Sequence, residues 1–274
     1  MIIRYENSKG ESIDLMEHGI RIYKANFHSY EWEPQGYERR FGVRLDDITK
    51  KPLELEMDIA FRGPNKKSDL NRFYAIAEYD VVNCKTGKLY WGDYYLNCMF
   101  TSSSTEPSED FIGAVRTVGV YAPYPFWIRE VKKHFFSKDA EPTVGFDSDY
   151  PYGYDYDYAL SDGRQATIDN DEVSPSEFKI TINGPVTYPS IRIGENVYEL
   201  NVEVESGGYL VIDSALKIAE VTNRVGQKTN AFPYRNLDYY LFEKIASGYN
   251  EISCNGGYEW ELIIYQTRSE PRWT

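Results

Sequence analysis

EFKITINGPVTYPSIRIGENVYELNVEV, residues 177–204, is the stretch on which the fold turns. It holds three strand signals, EFKITING, YPSIRIG and VYELNVEV, punctuated by Gly, Asn and Pro. The signal continues in GYLVIDS, around Asn250 to Gly256, and in YEWELIIYQ. Short strands recurring every ~8–12 residues, with turn residues at each break, predict an antiparallel sandwich or barrel. The second half of the chain is therefore expected to be an all-β sandwich.

Working outward, the first half reads as strands plus one helix. In LELEMDIAF, Leu53, Leu55, Met57, Ile59 and Phe61 alternate with Glu54, Glu56, Asp58 and Ala60, the period of a half-buried strand. Gly63 and Pro64 break it. Ser68 then suits an N-cap, with Asp69 in the first turn. Leu70, Phe73, Tyr74 and Ala77 fall on one face of a short amphipathic helix. KLYWGDYYLNCMF predicts a hairpin around Gly92-Asp93, and GAVRTVGVYA a further strand stopped by APYPFW. The expected organisation is a mixed β domain with one short helix over residues 1–135 and a β-sandwich over 136–274.

Totals restrict the function. A chain of 274 residues with 42% hydrophobic content can bury one large core or two ordinary ones. Its 25 tyrosines and 16% aromatic share favour strands. A net charge of −13 argues against phosphate neutralisation on nucleic acid and against an anionic membrane surface. MIIRYENSKG is too polar for a signal peptide, and no run approaches the ~20 apolar residues of a membrane span. Synthesis in and release to the cytoplasm is the expectation. Cys84, Cys98 and Cys254 are odd in number and widely spaced, which suits buried thiols better than disulfides or zinc.

No active-site pattern stands out. His18, His28 and His134 are far apart, and neither a nucleophile elbow nor a phosphate loop is present. The 43 acidic residues offer many carboxylate pairs and single out none. One stretch, DSDYPYGYDYDYALSDGRQ, invites several readings, since Tyr150, Tyr152, Tyr154, Tyr156 and Tyr158 alternate with Asp, Pro and Gly. An EF-hand register counted from Asp147 fails at Pro151, Tyr152 and Tyr158, leaving only a looser calcium set of Asp155, Asp157 and Asp162. As an extended strand, the tract puts five rings on one side, for packing or for a sugar. A linker is the third reading.

The stretch FDSDYPYGYDYDYA, then ITINGPVTYPSIRIG, GYLVIDSALK, FPYRNLDYYLFEKIASGYNEISCNG and the final Ser269-Glu-Pro-Arg-Trp273 resemble, in that order, the distal tail (Dit) protein family of siphophages. The resemblance covers the second half clearly and the first half diffusely. It implies a ring-forming N-terminal domain and a galectin-like C-terminal sandwich. It further implies a structural, non-enzymatic hub without cofactor or metal, a homo-oligomeric ring, usually six-fold in that family, at the distal end of a virion tail. The implied partners are the tail tube protein, the tail-tip or tail-associated protein and a receptor-binding protein. Phage, prophage and phage-tail-like bacteriocin all fit. On that reading, the tyrosine tract marks entry into the second domain and packs between domains, and an acidic lumen would let DNA pass without sticking. Edge strands and the amphipathic helix of the first domain are the natural subunit contacts. Two rivals are a carbohydrate-binding module, with Trp127 as a candidate stacking residue, and a wall hydrolase.

Overall fold

The computed structural model describes residues 2–17, 19–105, 113–135 and 165–272. The chain divides into two compact units, one of Met1–Arg129 with Thr267–Thr274, the other of Glu130–Gln266. Residues 1–129 carry 17 Lys and Arg against 19 Asp and Glu, and the remainder 13 against 24. The acidity of the chain thus lies almost wholly after residue 129. The near-neutral first unit gives no support to an acidic lumen built from that unit.

The first unit runs β1 (Ile3–Glu6), β2 (Ser12–Asp14), β3 (Ile20–Ala25), β4 (Glu33–Glu38), β5 (Val43–Thr49), β6 (Leu53–Arg62), α1 (Lys66–Val82), β7 (Gly87–Trp91), β8 (Tyr94–Thr105) and β9 (Gly113–Ala122), and β10 (Trp127–Phe135) begins in it. The strand pairs described in this unit are antiparallel. β8 belongs to two sheets: Tyr94 to Cys98 pair with β7, and Met99 to Thr105 pair with β9 across an irregularity between Phe100 and Ser102. One sheet then continues through β7 to β1 and β2, the other through β9 to β6 and β3. The alternation in LELEMDIAF is realised, with Leu55, Met57, Ile59 and Phe61 buried; Ala60 is buried as well. The Gly92 turn is as expected, with φ at +57° between β7 and β8.

The helix departs from expectation. It has 17 residues, begins at Lys66 after Asn65 rather than at Ser68, and has no side-chain cap at its start. Tertiary contact supplies what the cap does not: Phe73, Ile76 and Ala77 are buried, and Leu70 and Tyr74 pack at the margin of the core. Asp80, fully buried on the same helix, accepts a 2.5 Å hydrogen bond from Tyr5 Oη and one of 2.9 Å from the Ser8 amide. Burial first, and then this carboxylate, push the Tyr5 phenol far above its ordinary pKa. Gly87 is required at this point, because a Cβ there would lie 2.5 Å from Asp80 Oδ2, Tyr5 Oη and the Glu6 carbonyl.

The second unit contains the end of β10, then β11 (Gln165–Asn170), β12 (Glu177–Asn183), β13 (Val186–Thr187), β14 (Ser190–Ile193), β15 (Asn196–Glu199), β16 (Glu203–Val204), β17 (Tyr209–Asp213), β18 (Ile218–Thr222), β19 (Lys228–Asn230), β20 (Gly248–Cys254) and β21 (Trp260–Arg268). Sheet β19-β18-β17-β12-β21 and sheet β11-β20-β14-β15 contribute alternate residues to one core. Phe178, Ile180, Ile182, Leu210, Ile212 and Leu262 of the first meet Ile168, Ile191, Tyr198 and Ile252 of the second. Phe178 touches Tyr198 edge-on at 4.7 Å. Phe135 stacks on Trp260 at 3.9 Å. This is the sandwich read from residues 177–204.

One element of the first unit has no core of its own. β4 and β5 pair only with each other. Their base is clamped by Lys50, whose ammonium lies 4.3 Å from the Phe126 ring centroid, 5.3 Å from Trp32 and 5.8 Å from Tyr30. It also donates 2.6 Å to the Pro125 carbonyl. Trp32 enters the hairpin and Lys50 leaves it, so a single cation ties both stems to the β9–β10 connection. Lys51 and Glu33 form an ion pair beside it.

Two outcomes follow from these contacts. Tyr5→Phe keeps the ring, which meets Phe100 at 4.6 Å, but takes a partner from buried Asp80. Urea denaturation of the full chain should show a loss of about 1–3 kcal/mol. Burial pushes Lys50 down to about 8 from an ordinary value of 10.5. The unfolded chain therefore holds more proton between those values, and stability on account of this group rises with pH across that window. The stability difference between wild type and Lys50→Met should be flat below pH 8 and move in favour of wild type up to about pH 10.5, read from melting curves.

Candidate interaction surface

The β4–β5 hairpin is amphipathic. Pro34 stands opposite Ile48, Gly36 opposite Leu45 and Glu38 opposite Val43, with Asp46 the extra residue of a bulge between the pairs Gln35↔Asp47 and Gly36↔Leu45. Because residues two apart share a face, and the bulge restores the phase, Pro34, Gly36, Glu38, Val43, Leu45 and Ile48 line one side, apolar except for Glu38 beside Val43 near the tip. Glu33, Gln35, Tyr37, Arg44, Asp47 and Thr49 line the other. Val43, Leu45 and Ile48 are 61%, 58% and 51% exposed. A two-stranded ribbon is marginal alone in water, and an apolar row of this kind ordinarily rests on a second layer. At the tip, Phe41 is 85% exposed, and the Arg40 guanidinium sits 5.4 Å from its ring centroid.

A second feature lies on the same unit. Between α1 and strands β8 and β9 is a cleft of about 230 Å³, lined by Phe73, Ala77, Val81, Phe100 and Val118, with Glu78 its sole charged lining residue. Phe73 and Phe100 meet at 5.2 Å on its floor, and Tyr74 and Ser103 share a 2.7 Å hydrogen bond across it. Most of the apolar face of the helix is spent on the core. What remains for a partner is this cleft and the exposed Val81 and Val82 beside it.

The second unit offers exposed tyrosines, Tyr188, Tyr234, Tyr240 and Tyr249 among them, with Leu237 and Tyr239 exposed in the same stretch as Tyr234 and Tyr240. Its polar clusters have structural partners. Glu177 accepts from Ser214 Oγ at 2.5 Å and pairs with Lys244 at 3.1 Å and Lys217 at 3.8 Å. Arg235, Phe232 and Phe242 form a stack, guanidinium to ring at 4.0 Å and ring to ring at 5.4 Å. Burial raises the phenols of Tyr198, Tyr258 and Tyr265. Each is held: Tyr198 donates to the Glu243 carbonyl, Tyr258 to that of Ser190, and Tyr265 lies against Asp213.

Several sequence-derived candidates resolve differently. Trp127 is fully buried in the first core and cannot stack on a sugar; Trp260 is buried in the second. Cys98 is buried and its thiol pushed up by burial, whereas Cys84 is exposed and Cys254 half-buried, so the thiols do not share one environment. His134 pairs with Glu261 at 3.1 Å, and His28 lies edge-on to Trp91. Among the described residues no three His, Cys, Asp or Glu gather as a metal site, and no helix is long and apolar enough to cross a membrane. Tyr150, Tyr152, Tyr154, Tyr156 and Tyr158, like Asp155, Asp157 and Asp162, lie outside the described residues. The hairpin was not foreseen, although Val43, Leu45 and Ile48 after the Arg39-Arg40-Phe41-Gly42 turn were visible.

No family model and no curated protein matches the chain. Solved structures do. The SPP1 Dit (gp 19.1) protein, described as a paradigm of the hub adsorption apparatus in phages infecting Gram-positive bacteria, superposes with a TM-score of 0.63 at 10% identity. The match covers 98% of this chain and 99% of that one. A chain of the phage P2 baseplate in its activated conformation with Ca gives 0.63 at 13% identity, with the same coverage. The corresponding baseplate with Sr gives 0.62 at 13%. Over nearly its whole length, the chain has the fold of a phage distal tail (Dit) protein.

Proposed function

We propose that the chain is a structural distal tail protein of a siphophage, prophage or phage-tail-like particle. Copies of it form a hexameric ring at the distal end of the tail. The ring joins the tail tube to the tail-tip or baseplate protein and to receptor-binding components, and the chain performs no catalysis. The observation that carries this reading is the correspondence with SPP1 Dit over 98% of one chain and 99% of the other, both units included. The first unit supplies independent support, since it presents a largely apolar ribbon face that none of the described residues covers. A ring needs unlike surfaces to meet around a rotation axis, and this unit has two, a ribbon and a cleft. The second unit, which carries most of the acidic excess, then holds the outer components.

Light scattering of the purified protein across concentration, with negative-stain microscopy, tests the reading. Rings with a central hole, or pairs of rings, are the expected result. A chain that stays monomeric at the highest concentration and is not recruited to purified tail tubes overturns it. The triple variant Val43→Ser, Leu45→Ser, Ile48→Ser should keep the melting temperature of the monomer, because these side chains are already in water. It should weaken self-association at least ~10-fold, as loss of well over 1 kcal/mol of apolar burial does.

A further inference from the structure

The hairpin tip and the α1 cleft are complementary in shape, polarity and charge. Phe41 is a bare aromatic knob carrying an attached cation, Arg40, with Arg39 next to it. The cleft is a small, half-open one with an apolar side of Phe73, Ala77, Val81, Phe100 and Val118 and a hydroxyl-bearing rim of Thr101, Ser102 and Ser103; among the described residues its sole charged lining residue is Glu78, itself exposed. Either feature by itself is an ordinary surface irregularity; both occur on one unit of one chain. We propose that Phe41 of one copy inserts into the Phe73–Ala77–Val81–Phe100–Val118 cleft of the next copy, with Arg40 pairing to Glu78 at its rim. This deepens the self-assembly reading above and rests on it.

The choice of a second copy as occupant follows from the geometry. β4 and β5 pair only with each other, and their lengths of six and seven residues carry the tip about 20 Å from the Lys50 clamp. Phe41 stays 85% exposed within its own chain, so it does not reach the cleft of that chain. A knob on one side and a hole on another make a head-to-tail contact, which closes into a ring when the rotation allows and otherwise runs on as a filament. A desolvated aromatic anchor with a charge pair beside it is also the kind of small contact that dominates an interface.

The test is a charge exchange on the full chain, with self-association measured by analytical ultracentrifugation. Arg40, Phe41 and Glu78 are exposed, so the substitutions spare the monomer fold, which circular dichroism and melting confirm. Phe41→Ser, Arg40→Glu and Glu78→Arg should each raise the dissociation constant about tenfold or more. The double variant Arg40→Glu, Glu78→Arg should return to within about threefold of wild type, because the pair is restored with its signs reversed. Wild-type rings that persist unchanged in all three single variants overturn the knob-and-cleft contact and leave the hub reading standing. Single variants that weaken association without rescue in the double overturn the Arg40–Glu78 pairing. A wild-type chain that neither self-associates nor joins tail tubes overturns both.

Discussion

A lysine ammonium held against three aromatic rings decides where the β4–β5 hairpin can go. Lys50 sits among Phe126, Trp32 and Tyr30 and bonds the Pro125 carbonyl. Taking a cation out of water is costly, and the downward push on its pKa records that cost. Ring faces return part of it, up to about 2 kcal/mol for a desolvated cation–π contact. The arrangement substitutes for the hydrophobic layer that a two-stranded ribbon ordinarily needs. It ties the base of the ribbon to the Pro125–Phe126 segment and leaves its apolar side chains uncovered by the described residues.

The cleft depends on a different buried group. Asp80 bonds Tyr5 and the Ser8 amide, anchoring the last turns of α1 to β1 and its following loop. Ile76 and Phe73, about one and two turns earlier, are buried in the core. The helix is therefore held firmly on its β1 side, and on its β8 side the Tyr74–Ser103 bond spans what remains open. Ribbon and cleft are thus each held by their own contacts, the ribbon at its base by Lys50 and the helix beside the cleft by Asp80.

Where a strand alternates cleanly, the sequence announced it: LELEMDIAF became β6, and EFKITING, SIRI and YLVID became β12, β14 and β17. The helix was visible, but its first turn was not, since Lys66, Lys67 and Ser68 carry no apolar signal and Asn65 caps without a side-chain bond. The hairpin escaped for three local reasons. Pro34 and Gly36 demote a strand, the bulge at Asp46 throws Leu45 and Ile48 out of a strict period of two, and its apolar residues face no core. Trp127 misled because APYPFW looks like an exposed loop, whereas the Trp already belongs to β10 and pairs with Leu96. A candidate surface formed by residues 39–48 on one side and 73–118 on the other is a product of tertiary folding, and no linear motif encodes it. Only the family resemblance pointed beyond the single chain.

The uneven distribution of charge has a consequence for how copies could crowd together. With 13 basic against 24 acidic residues beyond position 129, each copy brings a strongly anionic module to any assembly, attached to a nearly neutral one. At ~0.01 M salt such modules repel over roughly 30 Å, and at ~0.15 M over only about 8 Å. Assembly through the neutral unit would thus be opposed in dilute buffer and released by ordinary cellular ionic strength.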